Sequence, residues 1–252
     1  MIRLIPAGNP GPYTGPAGNN TWLVDGASPL LVDAGVGNDE HIEALKRALD
    51  GRELAAVFIT HAHKDHSSGA PRLRREFPLV RIVGGPDGER GDPHAWLTAG
   101  DSRLQIIPTP GHSADHTCLW DPDARVLFAG DLLVAGGTVM IAGSSGGNLS
   151  AYLESLARVR ALGPALVYPG HGPIIDAPLT LIDQYVAHRL ERERQIVAAL
   201  ERAPSSIESL VASIYSDLAP GLKGAASETV LAHLKKLEEE GRAAERNGIW
   251  SI

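Results

Sequence analysis

The chain has 252 residues, of which 43% are apolar and 21% charged, close to the globular average and unlike a disordered or fibrous chain. At about 150 residues per domain this length implies one to two domains. The 23 Lys and Arg against 30 Asp and Glu leave a net charge of −7, which provides no global attraction to nucleic acid or to an acidic membrane. No apolar run approaches the ~18 residues that span a bilayer. The start, MIRLIPAGNPG, lacks the apolar stretch of a secretory signal, so a cytoplasmic, membrane-free protein is expected. A single cysteine, Cys118, excludes intramolecular disulfides and reads as a small core residue.

Residues 7–19 hold four Gly and three Pro and read as a loop. Short β-rich runs follow at Thr21–Val24, Leu30–Val32, Ala55–Thr60, Val80–Val83, Leu104–Ile107, Thr117–Trp120, Val126–Ala129 and Ala165–Tyr168, bounded by Gly, Pro or Asp. Amphipathic helices are predicted at His41–Leu49, with Ile42, Leu45 and Leu49 on one face, and at Leu149–Leu162, with Leu153, Leu156 and Val159. Many short strands with fewer helices indicate an α/β or α+β architecture. Beyond Pro178 the pattern becomes helical. A long helix is predicted over Leu179–Arg202, then a short one capped by Ser205-Ser206, then another over Ser227–Gly241. Asn247-Gly248 near the end predicts a tight hairpin. The expected organisation is a domain over 1–178, a connecting helix over 179–190 and a small C-terminal domain over 191–252.

The ten histidines are not scattered. Thr60-His61-Ala62-His63-Lys64-Asp65-His66 follows an apolar strand, and in extended backbone residues i and i+2 project to one side, so His61 and His63 can share one ion. Asp65 and His66 fall where the chain turns and can face a second. Three further residues have the same placement just past a strand: His112 in Thr109-Pro110-Gly111-His112, Asp131 in Gly130-Asp131, and His171 in Pro169-Gly170-His171-Gly172. Loops at strand ends are where a rigid scaffold gathers a site. Imidazole and carboxylate are zinc ligands, and a hydrolytic site keeps one position open for water. Singly, each of the three is also ordinary turn chemistry; their shared placement sets them apart.

His61, His63, Asp65, His66, His112, Asp131 and His171, in that order, resemble the motif signature of the metallo-β-lactamase superfamily. NPGPYTGP, NNTWLVDG, TPGHSADH, AGD, YPGHGPII and YVAHRLERERQI further resemble its β-lactamase-like protein 2 subgroup, and the resemblance covers nearly the whole chain. It implies a four-layer αββα sandwich with a winged-helix-like C-terminal segment. It also implies two zinc ions, with His61, His63 and His112 on the first, Asp65, His66 and His171 on the second, and Asp131 bridging both. The implied activity is hydrolysis, including cleavage of single-stranded RNA. One departure is IAGSSGGNL at 141–149, where the subgroup leads one to expect a Pro-rich, acidic stretch.

A hydroxide shared by two zinc ions, with Asp65 and Asp131, leaves a site charge of about +1, suited to a phosphodiester or to the oxyanion of a carbonyl adduct. Asp65 is the candidate catalytic residue, orienting the hydroxide or moving a proton to the leaving group. His116 reads either as a partner behind the ligands or as a hydrogen-bonded strand histidine. With Asn20 and Thr138, it is also a candidate substrate contact. His41, His94, His188 and His233 show no partner pattern and read as surface or partly buried. Lys64, Arg72, Arg74, Arg75 and Arg81 form a basic cluster that reads first as a solvated face and second as a phosphate-contacting rim.

Residues 191–252 carry eight basic and ten acidic side chains, which favours packing or dimer support over nucleic-acid reading, with Arg246 and Trp250 keeping the latter open. The substrate is expected to be single-stranded RNA or a small thioester, lactone or β-lactam, and the assembly a monomer or homodimer. Zinc is the expected metal, Mn²⁺ and Fe²⁺ being tolerated by the same ligands. The rival of another class is a non-catalytic module held together by its metal, which an open water position argues against.

Overall fold

A computed structural model describes residues 1–89, 92, 94–216 and 220–252. Two five-stranded sheets carry the N-terminal part. In the first, β1 (Ile2–Pro6), β2 (Asn20–Val24) and β3 (Leu30–Val32) are antiparallel, and β3, β4 (Ala56–Phe58) and β5 (Arg81–Val83) are parallel. The second runs in the order β10 (Leu166–Pro169), β9 (Val126–Gly130), β8 (Thr117–Asp121), β7 (Ser102–Pro108), β6 (Trp96–Ala99), with only β10 and β9 parallel. Trp22, Val24, Leu30, Val32 and Phe58 from the first sheet meet Leu104, Ile106, Leu119 and Phe128 from the second in one buried cluster. Alternate residues of the first sheet, Leu23, Leu31 and Val57, turn the other way. They pack with Ile42, Leu45 and Leu49 of α1 (Asp39–Leu49) and with Leu73 of α3 (Ala70–Glu76). This two-faced burial is the period-2 consequence of the strand pleat.

Every predicted strand is present. The sequence reading missed β1 and β6 and the short helices α2 (Lys64–Ser67) and α3. Asn38 caps α1, its Oδ1 accepting from His41 N–H at 2.9 Å. α4 (Leu149–Leu162) and α5 (Pro178–Arg202) occupy the predicted positions. Ser206 caps α6 (Ile207–Ile214), and α7 (Lys223–Glu239) precedes the hairpin of β11 (Ala244–Arg246) and β12 (Ile249–Ser251), turned at Asn247-Gly248. Ile196, Leu200, Leu210, Val230, Leu234 and Leu237 form a separate core with Trp250, which is buried and so is not a surface for nucleic acid.

The chain divides into two compact units. One comprises 1–109, 115–138 and 159–179; the other comprises 110–114, 139–158 and 180–252. No helix among the described residues is long and apolar enough to cross a membrane. Cys118 is fully buried, and burial pushes its thiol up to about 12, consistent with a core residue rather than a nucleophile.

Candidate metal centre

The site is built where parallel strands of the first unit end. β3 runs into Asp33, a buried residue with φ of 64°, a conformation that Asp tolerates better than most residues. Asp33 Oδ1 accepts from Thr60 N–H at 2.8 Å and from the Thr60 hydroxyl at 2.9 Å. Because that hydroxyl donates to a carboxylate, Thr60 Oγ1 is left to accept from His61 Nδ1–H, 3.1 Å away. His61 Nε2 is thereby left with its lone pair, facing His63 Nδ1 at 2.9 Å. Asp33 Oδ2 also takes the Nδ1–H of His66 at 2.8 Å, so Nε2 is the ring nitrogen turned toward the other candidate ligands. One carboxylate thus sets the tautomers of two ring ligands.

His66 Nε2 lies 3.3 Å from His171 Nε2, 3.4 Å from Asp65 Oδ2 and 3.4 Å from Asp131 Oδ1. His171 Nε2 lies 3.3 Å from each of those two oxygens. Five of the six distances among these four atoms are thus 3.3–3.4 Å, the spacing that donors take around a zinc ion about 2.0–2.1 Å from each of them. The donor set therefore fits zinc. His61, His63 and Asp131 offer a second group, with ligand atoms within 4.8 Å of one another. His112 lies in the other unit, its Nδ1–H donating to Met140 O at 2.9 Å.

The charges respond to this crowding. Burial works against ionisation of Asp65 and Asp131, but the imidazoles of His66 and His171 outweigh it and hold both carboxylates below their usual range. Burial likewise opposes charge on His66 and His171. The carboxylates reverse it, raising His171 to about 9 and His66 well above its ordinary value. A cation held among these four groups would take the place of those protons.

Asn20 and His116 are held behind these ligands. Asn20 Nδ2 donates to Pro169 O at 3.0 Å and to Gly172 O at 2.9 Å, gripping the His171 loop on both sides. His116 is 1% exposed; its Nε2 accepts from Asp131 N–H at 3.1 Å, so Nδ1–H donates to Thr109 Oγ1 at 2.9 Å. Thr138 is exposed. Asn19 Nδ2 donates to Asp65 O at 2.6 Å. Sequence reasoning missed Asp33, Thr60 and Asn19. Asp33 carried the same signal as the candidate ligand Asp131, an acidic residue just past a strand, here followed by Ala34-Gly35. The basic cluster is largely paired: Arg72 with Asp39 and Glu76, and Arg81 with Glu89, while Arg74 donates to Asp87 O. His41 and His233, read as surface or partly buried, are each 1% exposed.

Two mixed sheets in face-to-face contact, with His and Asp ligands gathered at strand ends, define a metal-dependent hydrolase fold. Residues 14–99 and 97–171 match the metallo-β-lactamase superfamily, and residues 206–250 match the β-lactamase-associated winged helix domain. The chain belongs to the metallo-β-lactamase superfamily, and it is a hydrolase of that fold with a C-terminal winged helix. It is 34% identical to a β-lactamase-like protein 2 homolog from Caenorhabditis elegans, over 95% of this chain and 85% of that one. It is 31% identical to an atrochrysone carboxyl ACP thioesterase from Aspergillus novofumigatus, over 96% and 79%. A β-lactamase domain protein from Burkholderia ambifaria superposes with a TM-score of 0.86 over 99% of this chain and 91% of its own, at 23% identity, which establishes likeness of fold.

Proposed function

We propose that the chain is a two-zinc hydrolase that cleaves single-stranded RNA. In this reading His61, His63 and His112 would hold one ion, Asp65, His66 and His171 the other, and Asp131 would serve both. The observation that carries the metal reading is the convergence of His66, His171, Asp65 and Asp131, with five of their six mutual distances at 3.3–3.4 Å. The ions, when bound, supply a water of lowered pKa and positive charge for a developing oxyanion. The chain's own residues do the rest. Asp65, held ionised by its imidazole neighbours, takes a proton at its carboxylate and delivers it to the leaving group. His116 and Asp33 hold Asp131 and His66 in place, Asn20 holds the His171 loop, and Thr138, on the exposed side, contacts substrate.

A second substrate class, an acyl thioester, is favoured by one specific observation: the arginines Arg72 and Arg81, which would rim a polyanion, are tied to carboxylates. The thioesterase name of a relative 31% identical points the same way. The division into 1–178, 179–190 and 191–252, a cytoplasmic location and a homodimer belong to the same proposal, the last tested by light scattering.

The deciding experiment strips the chain with a chelator, restores zinc, manganese or iron(II), and assays single-stranded RNA beside an acyl thioester, a lactone and a β-lactam. Restoration by zinc, two equivalents bound, and RNA affinity that falls steeply with salt are expected, because phosphate contacts release counterions. A salt-insensitive thioesterase rate with no RNA cleavage selects the second substrate. Full activity after chelation ends the metal reading.

A further inference from the structure

We infer that Arg189 of the C-terminal helical part is a positioning residue for His112, acting through the segment 139–152. This goes beyond the two-zinc reading and rests on it for the part His112 plays. Arg189 is 1% exposed although it carries a permanent charge. Burial of a guanidinium is costly unless its hydrogen bonds are well made, so its contacts indicate its use.

Two contacts converge on the same loop. Arg189 donates to the carbonyl of Val139, and the next carbonyl along, that of Met140, accepts His112 Nδ1–H at 2.9 Å. The guanidinium also lies 5.7 Å over the ring of Tyr152, at the start of α4. Tyr152 backs onto the residue before His112: a Cβ on Gly111, whose φ is +138°, would sit 2.3 Å from Tyr152 Cα. The loop is further pinned by Asn148 N–H donating to Gly111 O at 2.8 Å. Arg189 therefore touches both walls of the slot in which His112 sits. Because Met140 O takes the Nδ1 proton, Nε2 is the ring nitrogen left for a metal.

α7 grips the same segment from its exposed side. Glu228 accepts from Ser144 N–H at 2.8 Å and from the Ser144 hydroxyl at 2.7 Å, and Lys235 donates to Gly143 O at 2.7 Å. Glu239 accepts from Asn148 Nδ2 at 3.2 Å and from Ser150 Oγ at 3.1 Å. The Gly/Ser-rich 141–149 stretch thus receives from α7, with Arg189 of α5 on Val139 and Tyr152 at its two flanks, the rigidity that its own sequence lacks. α5 and α7 here act as a splint.

The test uses the full chain, freed of metal and titrated with zinc against a competing indicator, with amide hydrogen exchange followed over 110–114 and 139–148. Arg189→Met and Arg189→Lys, the latter keeping charge but losing the planar fork, are expected to weaken one of the two zinc ions roughly 10-fold to 100-fold. The other ion keeps its affinity, and exchange at 110–114 rises. Should neither variant fold, Glu228→Gln with Lys235→Met removes only exposed grips, and faster exchange at 139–148 with weaker binding of one ion is expected. Folded variants that bind both ions as the wild type does overturn the inference, as does equal weakening of both, which marks general loosening. If the wild type binds no zinc, the two-zinc reading fails on its own, and unchanged exchange at 110–114 in the variants then also ends the splint.

Discussion

His66 and His233 are hidden from solvent to the same degree, 0% and 1% exposed, yet they are poised in opposite directions. Burial disfavours charge on both rings. Around His66 the carboxylates of Asp131 and Asp33 overcome it and hold the ring protonated well above the ordinary range. Around His233, in the C-terminal part, burial is reinforced by Arg189, Lys236, His188 and Arg192, and the ring falls to about 3. Glu193, 4.0 Å away, is engaged by Lys236 at 2.8 Å and by Arg242 at 3.0 Å. Burial sets the size of the penalty, and the sign of neighbouring charge decides whether a buried histidine becomes a cation receptor or a neutral core group.

The comparison is broken most severely by removing its charge. Asp131→Ala is expected to lower both bound zinc and turnover by more than roughly 100-fold, the top of the range for residues merely behind a metal, read by metal analysis beside a rate assay. Asp33→Asn should weaken zinc roughly 10-fold to 100-fold with the fold retained, since Asn accepts the same left-handed backbone while the anchor for His66 Nδ1 loses its charge. A competing indicator measures it, and wild-type affinity in that variant would show the tautomer argument to be wrong.

On the neutral side, acid is the probe. Between the folded value near 3 and the unfolded value of 6.5, the unfolded chain binds a proton at His233 that the folded chain refuses. Stability therefore falls as pH drops through that window, by about 1.4 kcal/mol per pH unit for this group. His41, lowered to about 4 by burial alone, adds the same sign over a narrower window. Urea midpoints of the metal-free chain should show this slope, and His233→Phe should flatten it. The smallest effect is Ser206→Ala, which removes the cap of α6 at a cost of about 1 kcal/mol in the same denaturation assay.

Much of this was legible in one dimension. The order and spacing of His61, His63, Asp65, His66, His112, Asp131 and His171 are local facts, because each comes soon after a β-rich run, at the strand end where loops gather a site. The Ser206 cap and the Asn247-Gly248 turn are local for the same reason, each resting on a few bonds within four residues. Periodicity could not reach residues whose meaning lies in distant partners. Asp33 is one aspartate among fifteen until Thr60 and His66 meet it. Arg189 is one charge on a long helix until the carbonyl of Val139, fifty residues away, closes on it. Sequence determined which candidate ligands exist and in what order, since that depends on residue type and on position along the chain. Tertiary structure alone decided their tautomers, their ionisation and what braces them, because those depend on which groups burial forces together.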